Sequence, residues 1–236
     1  MSRIVVISAL QSELAPLVKG WSRESVNVGE KPVQCFMRDN VIAAAGGIGA
    51  SRAEKTAQTL VERYQPEFLV SAGLAGALTD NWKTGSIVVP EAVVDAETGA
   101  EYRCERAPDA VSHAVLVTAP NVSGKDAKAA LAQKFGASIV DMEAAGVARV
   151  AREKGIAFRC VKAISDERAF PMPPLGRFVR QGEFHTAAFL RWLAFHPQYW
   201  GLTIVLGRNS SRASRALCDW LRRNVSPQVQ AAELLH

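Results

Sequence analysis

Short apolar runs ending in small residues alternate along this chain with longer amphipathic runs, a pattern of strands and helices taking turns. Residues 3–9 place Ile4, Val5, Val6 and Ile7 side by side, as in a central parallel strand buried on both faces. Residues 33–37 and 41–45 predict a strand pair, turned by Arg38, Asp39 and Asn40. A helix is predicted over 53–64 and a strand over 68–72, which delivers small residues up to Ala77. Short strands follow at 86–89, stopped by Pro90, and at 115–118, with an irregular excursion over 95–113 between them. Pro90 and Glu91 are positioned to border a pocket.

The helix predicted over 125–135 alternates Lys125, Lys128 and Lys134, read as exposed, with Ala129, Ala130 and Leu131. Residues 137–166 then form the organising stretch. An apolar entry ends in Asp141, Met142 and Glu143; a helix carries Ala144, Val147, Ala148 and Ala151 on one side; and a second apolar run ends at Ser165 and Asp166. Pro171, Pro173 and Pro174 preclude a helix and predict a lid or pocket wall. Helices over 184–195 and 210–223 complete the chain, the second burying Ala213, Ala216, Leu217, Trp220 and Leu221. The expected fold is a three-layer α/β sandwich around a central mixed, largely parallel sheet. It is expected to be one domain over 1–236, with 177–236 as a basic C-terminal helical cover.

Composition narrows this picture. Hydrophobic residues make up 48% of the 236, enough for a substantial core, and no Ser/Gly/Pro linker divides the chain. The first residues enter a strand pattern directly and no run reaches membrane-spanning length, so a cytoplasmic protein is expected. Cys35, Cys104, Cys160 and Cys218 are too scattered for metal-ligand spacing, and the four histidines have no local partners, so no metal is indicated. The net charge of +5 resides after residue 176, where eight arginines face Glu183, Asp219 and Glu233. Such a tail attracts anionic lipid, nucleic acid or an acidic partner, though ordinary domain cover is the commoner use of an amphipathic helix. Nucleic acid is not expected, because Trp220 and most other aromatics read as core.

The candidate chemistry gathers at strand ends. In an open α/β sheet ligands bind at the carboxyl edge of parallel strands, which makes Glu143 and Asp166 expected neighbours. One carboxylate there can hold a polyol while the other protonates a leaving group, although an N-cap and a surface acid are the alternative. Glu13, after the first strand, is the third acid, or else a solvated first-turn glutamate. Residues 46–52, GGIGASR, form a glycine-rich strand-to-helix junction able to hold an anion on backbone N–H groups, with Ser51 and Arg52 as further donors. It matches neither the dinucleotide fingerprint nor the P-loop, and a tight structural turn is the alternative.

Together these segments resemble the purine nucleoside phosphorylase and nucleosidase superfamily: VVISALQSE at 5–13, AGGIGASRA at 45–53, SAGLAGAL at 71–78, VDMEAAGVA at 140–148 and AISD at 163–166. The resemblance implies that Glu143 binds ribose hydroxyls and that Met142 packs on the sugar. Leu74, Ala75 and Gly76 would line the substrate site, Asp166 would protonate or hydrogen-bond N7 of the departing purine, and Glu13 would activate water. In a phosphorylase, Gly47, Gly49, Ser51 and Arg52 would instead hold inorganic phosphate as co-substrate, with no cofactor. The chain departs from the nucleosidase pattern at Leu74, usually a small hydroxyl residue, and at Lys162, often arginine.

The run at 117–155, the PMPP at 171–174 and RWLAFHPQYWGL at 191–202 are similar to the hopanoid-associated phosphorylase branch. That resemblance implies phosphorolysis of adenosylhopane or a similar 5'-substituted adenosine to release adenine. It also implies a lipid-linked substrate, peripheral contact with the inner membrane surface, and a homo-oligomer of at least two copies. The alternatives are a hydrolytic methylthioadenosine/adenosylhomocysteine or futalosine-type nucleosidase and, outside enzymes, a nucleoside or nucleic-acid binding protein.

Overall fold

The computed structural model describes residues 3–106, 113–122 and 124–225. Part of the irregular excursion and the end of the C-terminal cover therefore lie outside the described residues.

The chain opens with strand β1 (Ile4–Ser8), the single turn α1 (Gln11–Leu14), strands β2 (Ser22–Val28), β3 (Lys31–Arg38) and β4 (Val41–Ala45), and helix α2 (Ala50–Tyr64). Strands β5 (Phe68–Ala77), β6 (Ile87–Val88), β7 (Ala92–Asp95), β8 (Glu101–Arg103) and β9 (Val115–Thr118) lead to helix α3 (Lys125–Phe135). Strand β10 (Ile139–Asp141), helix α4 (Ala144–Lys154) and strand β11 (Ala157–Asp166) follow. A 3-10 turn, a hairpin of β12 (Val179–Arg180) and β13 (Glu183–Phe184), and helices α5 (Thr186–Ala194) and α6 (Trp200–Asn224) complete the order.

The result is an α/β three-layer sandwich with a central mixed, largely parallel sheet. Its strands run β2-β3-β4-β1-β5-β10-β9-β7-β8, and β11 pairs with β5 and β6. At the centre β4, β1, β5 and β11 are parallel. Strict alternation of the buried side chains explains the layers. Val5, Ile7, Leu69, Cys160 and Ile164 pack in one cluster with Ala53, Ala57 and Leu60 of α2 and Ala144, Val147 and Ala148 of α4. Ile4, Val6, Val70, Val161 and Ala163 pack in the other with Leu14 of α1 and Ala213, Leu217, Trp220 and Leu221 of α6. A third cluster, including Leu78, Val117 and Val140, sits against Leu131, Ala132 and Phe135 of α3. Burying both faces is why the central strands are almost continuously apolar.

The sequence pattern predicts none of β7, β8, β12 and β13, and three further elements differ from it. β5 continues through Gly73 to Ala77, because β11 and then β10 supply ladder partners that override the low strand propensity of glycine. β2, with its mixed polar sequence, is an edge strand that buries only Val26 and Val28. α6 starts ten residues earlier than predicted, because Gly201, Gly207 and the Asn209–Ser211 run weaken local propensity without stopping a helix anchored farther along by Leu217 and Trp220. Its first turns lie off the core, with Ile204 and Val205 exposed. Phe195 and Trp200 are exposed as well, so the aromatics do not all belong to the core. Among the described residues no helix is long and apolar enough to cross a membrane.

Candidate active site

Gly76 of β5 stands opposite Val140 on β10 and opposite Asp166 on β11, and these two flanking strands run in opposite directions. Glu143 and Asp166 therefore converge from opposed strands around one glycine, whereas the sequence suggested parallel strand ends on a single edge. A register shift between Ile164 and Asp166 bulges Ser165 and turns the aspartate toward the cavity. Ser165 Oγ donates to Asp166 Oδ1 at 2.7 Å.

On the far side of that bond network, Asp141 caps α4. Its Oδ2 accepts the Ala144 N–H at 2.8 Å, its Oδ1 accepts the Thr118 hydroxyl at 2.7 Å, and Thr118 Oγ1 accepts the Ala145 N–H at 3.0 Å. Because Asp141 performs the capping, Glu143 is free of that duty. Its Oε1 accepts the Gly49 N–H at 2.8 Å and its Oε2 the Met142 N–H at 3.3 Å. Burial, and then the neighbouring Asp141, push its pKa up to about 8. Lys162 Nζ lies 2.7 Å from Asp141 Oδ2. Burial alone would lower the Lys162 pKa, but the adjacent Asp141 outweighs it and holds the ammonium charged.

Glu13 enters from α1, directly after β1. Its Oε2 accepts the N–H groups of Ala9 at 3.1 Å and Leu10 at 3.2 Å. Burial raises its pKa, an effect that these N–H groups and Lys162 oppose without cancelling.

A cavity of about 340 Å³ joins these groups. Glu13, Leu74, Ala75, Gly76, Met142, Glu143 and Asp166, all singled out in the sequence, line it together. The proline-rich segment supplies a wall, as expected, through Met172, and Leu175, Val179, Phe184 and Leu206 extend that wall with apolar surface. Glu91 is instead at the surface, 3.2 Å from the His113 ring.

Lys128 also lines the cavity, although the sequence pattern places it among three exposed lysines. It is 1% exposed, ion-paired to Asp166, and its Nζ donates to the Glu167 carbonyl at 3.0 Å. The signal that could have revealed it is spacing: Lys128 stands three, four and seven residues before Leu131, Ala132 and Phe135, the inward stripe of α3.

Gly47, Gly49, Ser51 and Arg52 are absent from this cavity. Gly49, Ser51 and Arg52 line a neighbouring one of about 620 Å³. The N–H groups of residues 46–49 are not available to an anion at the acids, being already donated: Gly46 to Ser8 O, Gly47 to Ala9 O, Ile48 to Gly182 O and Gly49 to Glu143. Arg52 reaches the Val28 carbonyl instead. Among the described residues no group of three or more His, Cys, Asp or Glu is placed to hold a metal ion.

Three buried acids on one nucleoside-sized cavity, carried by this sandwich, define an enzyme of the nucleosidase and phosphorylase class. The chain belongs to the Phosphorylase superfamily, whose family model matches residues 3–120 and 103–174. It is 27% identical over 202 residues to the 5'-methylthioadenosine/S-adenosylhomocysteine nucleosidase of Marinomonas sp. (strain MWYL1), covering 70% of this chain and 86% of that protein. The nucleosidase of the same name from Buchnera aphidicola subsp. Baizongia pistaciae is 26% identical over 198 residues, covering 70% and 78%. The fold is shared with a Helicobacter pylori MTAN mutant holding 5'-methylthioadenosine in its active site, at a TM-score of 0.71, 17% identity and coverage of 95% and 98%. It is also shared with the futalosine hydrolase of Helicobacter pylori, at a TM-score of 0.69, 17% identity and coverage of 94% and 96%.

These relatives correct two expectations. Phosphorolysis of adenosylhopane, with inorganic phosphate as co-substrate, is overturned: the similar proteins are nucleosidases and a hydrolase, and the hopanoid-associated branch finds no support among them. The physical reason lies in residues 46–49, whose N–H groups are already donated within the protein, and in Ser51 and Arg52, which face a different cavity.

Proposed function

We propose that this protein hydrolyses the N-glycosidic bond of a 5'-substituted adenosine of the methylthioadenosine/adenosylhomocysteine type. The observation that carries this reading is Glu13, a buried carboxylate on the same cavity as Glu143 and Asp166. Bond cleavage leaves positive charge on the sugar and sends the bonding electrons into the base. Glu143 accepts the ribose hydroxyls beside Met142, and Asp166 serves the base at N7. Glu13 takes a proton from water as its oxygen bonds to the anomeric carbon. Burial suits Glu13 to that work, since a raised pKa makes the ionised carboxylate a stronger base. The apolar wall of Met172, Leu175, Phe184 and Leu206 fits the thioether that these nucleosides carry at the 5' position.

The experiment is product analysis with 5'-methylthioadenosine and S-adenosylhomocysteine, with and without phosphate. Adenine and free sugar, formed at a phosphate-independent rate, are expected. A sugar 1-phosphate product, or no adenine from either nucleoside, overturns the reading. Assembly into at least two copies is part of the same proposal, resting on the family resemblance, and sedimentation velocity checks it.

Peripheral contact with an anionic lipid surface is supported by a separate observation. Leu190, Phe195, Trp200, Ile204 and Val205, on α5 and the start of α6, are between 44% and 79% exposed. Residues 184–218 contain no Asp or Glu, while Arg191, Arg208, Arg212 and Arg215 are exposed among them. Exposed aromatics with one-signed positive charge match a headgroup interface in both polarity and charge.

A further inference from the structure

Nucleoside hydrolysis needs a proton at the leaving base, and Asp166 as it stands has neither oxygen free to donate one. Oδ2 is held by the Lys128 ammonium and Oδ1 accepts the Ser165 hydroxyl. The Lys128 and Asp166 side chains are 1% and 6% exposed, so bulk water does not reach the contact easily. A lysine in such a place gives up a large hydration energy, and the structure secures it twice, by the aspartate and by the Glu167 carbonyl at 3.0 Å.

The site is also built to admit this lysine. A Cβ on Gly76 would stand 2.9 Å from Asp166 Oδ2 and 3.2 Å from Lys128 Nζ, so a side chain there would push the pair away from its present place against β5. α3 contributes Lys128 from its inward stripe, at a position where an apolar residue would have completed the packing against Leu78 and Val117. An apolar side chain there would also have avoided the desolvation. The charge is therefore spent at the acid rather than on stability.

We infer that Lys128 is the proton source for the departing purine and acts through Asp166. As the bond between the anomeric carbon and N9 breaks, its electron pair enters the base. Asp166 takes a proton from the Lys128 ammonium and passes it to N7, leaving a neutral amine, the aspartate carboxylate and neutral adenine. The proton that Glu13 gains from the attacking water balances the cycle, and solvent exchange returns Lys128 to its charged form after release. Lys128 is thus a positioning and proton-supplying residue behind the group that meets the base. This inference rests on the reading of the site as an adenosine nucleosidase.

The test compares two leaving groups. Adenine requires protonation, whereas 4-nitrophenolate, from 4-nitrophenyl β-D-riboside, departs as a stable anion. Lys128→Met is expected to lower kcat on 5'-methylthioadenosine by on the order of 10²-fold with little change in KM, and to leave nitrophenyl riboside cleavage near the wild-type rate. Lys128→Arg keeps the charge but does not readily surrender a proton, so it is expected to recover the melting temperature without recovering adenine release. It also serves if the methionine variant does not fold. Equal losses on both substrates, or full rescue of adenine release by arginine, overturn the inference while the nucleosidase reading stands. A wild-type protein that releases no adenine removes both.

Discussion

Lys162 Nζ lies 2.7 Å from Asp141 Oδ2 with side-chain exposures of 1% and 0%, and this ion pair fixes the start of the helix that presents Glu143. Asp141 also takes the Ala144 N–H and the Thr118 hydroxyl, so removing the lysine would strand a buried anion within a capping network. Lys162→Met is expected to destabilise the protein by about 3–5 kcal/mol. Adding Asp141→Asn should restore part of that loss, because the uncompensated charge disappears. Urea denaturation of the two single variants and the double variant measures the coupling. Strict additivity would show that the pair does not act as a unit.

The Glu143 carboxyl, pushed up to about 8 by burial and Asp141, makes stability depend on pH in a definite direction. Between the unfolded carboxyl's range and about pH 8 the folded protein holds a proton that the unfolded chain has lost. The contribution is full at pH 4 and fades as pH rises through the folded value. Glu143→Gln, neutral at every pH, is expected to melt above the wild type at pH 8.5, with the gap closing toward pH 5. A gain of ~1 kcal/mol would read as about 2–4 °C. The same variant should raise KM by weakening ribose binding. A gap that does not change with pH would show that the fold does not hold the Glu143 carboxyl protonated, and an unchanged KM would remove its ribose assignment.

Glu13 carries the opposite requirement, since a base must be ionised to work. Its raised pKa places the acid limb of kcat/KM above the ordinary glutamate range, with activity falling as pH drops through that limb. Glu13→Gln is expected to lose about 10²–10⁴-fold in kcat on methylthioadenosine while still binding the nucleoside. Near-wild-type turnover in this variant would mean that water is activated elsewhere.

Much of this site is legible in the sequence, for reasons that differ from residue to residue. Glu13, Glu143 and Asp166 follow apolar runs whose burial on both faces is unmistakable, so their placement at strand ends can be read directly. The antiparallel course of β10 against β5 cannot, because strand direction leaves no mark on local composition. Nor can the spent N–H groups of residues 46–49, whose partners Ala9, Gly182 and Glu143 are remote in sequence. Lys128 is hidden by its residue type: a lysine among lysines reads as solvated, and only its register with Leu131 and Phe135 argues otherwise.

The exposed face of α5 and α6 yields the remaining prediction. Burying apolar side chains such as Phe195 and Ile204 in a headgroup layer contributes about 25 cal/mol for each Å² of apolar surface removed from water, and each arginine near an anionic surface about 1 kcal/mol. Vesicles of phosphatidylcholine with phosphatidylglycerol are therefore expected to sediment the protein, and phosphatidylcholine vesicles much less so. Phe195→Glu with Ile204→Glu should abolish the binding, and Arg208→Glu should weaken it and reduce its salt dependence. None of these residues lines the cavity, so methylthioadenosine hydrolysis should persist in both variants. Equal binding to both vesicle types would leave the arginines without this role. A wild-type dimer that the Phe195→Glu, Ile204→Glu variant converts to monomer would assign the face to a second copy of the chain instead.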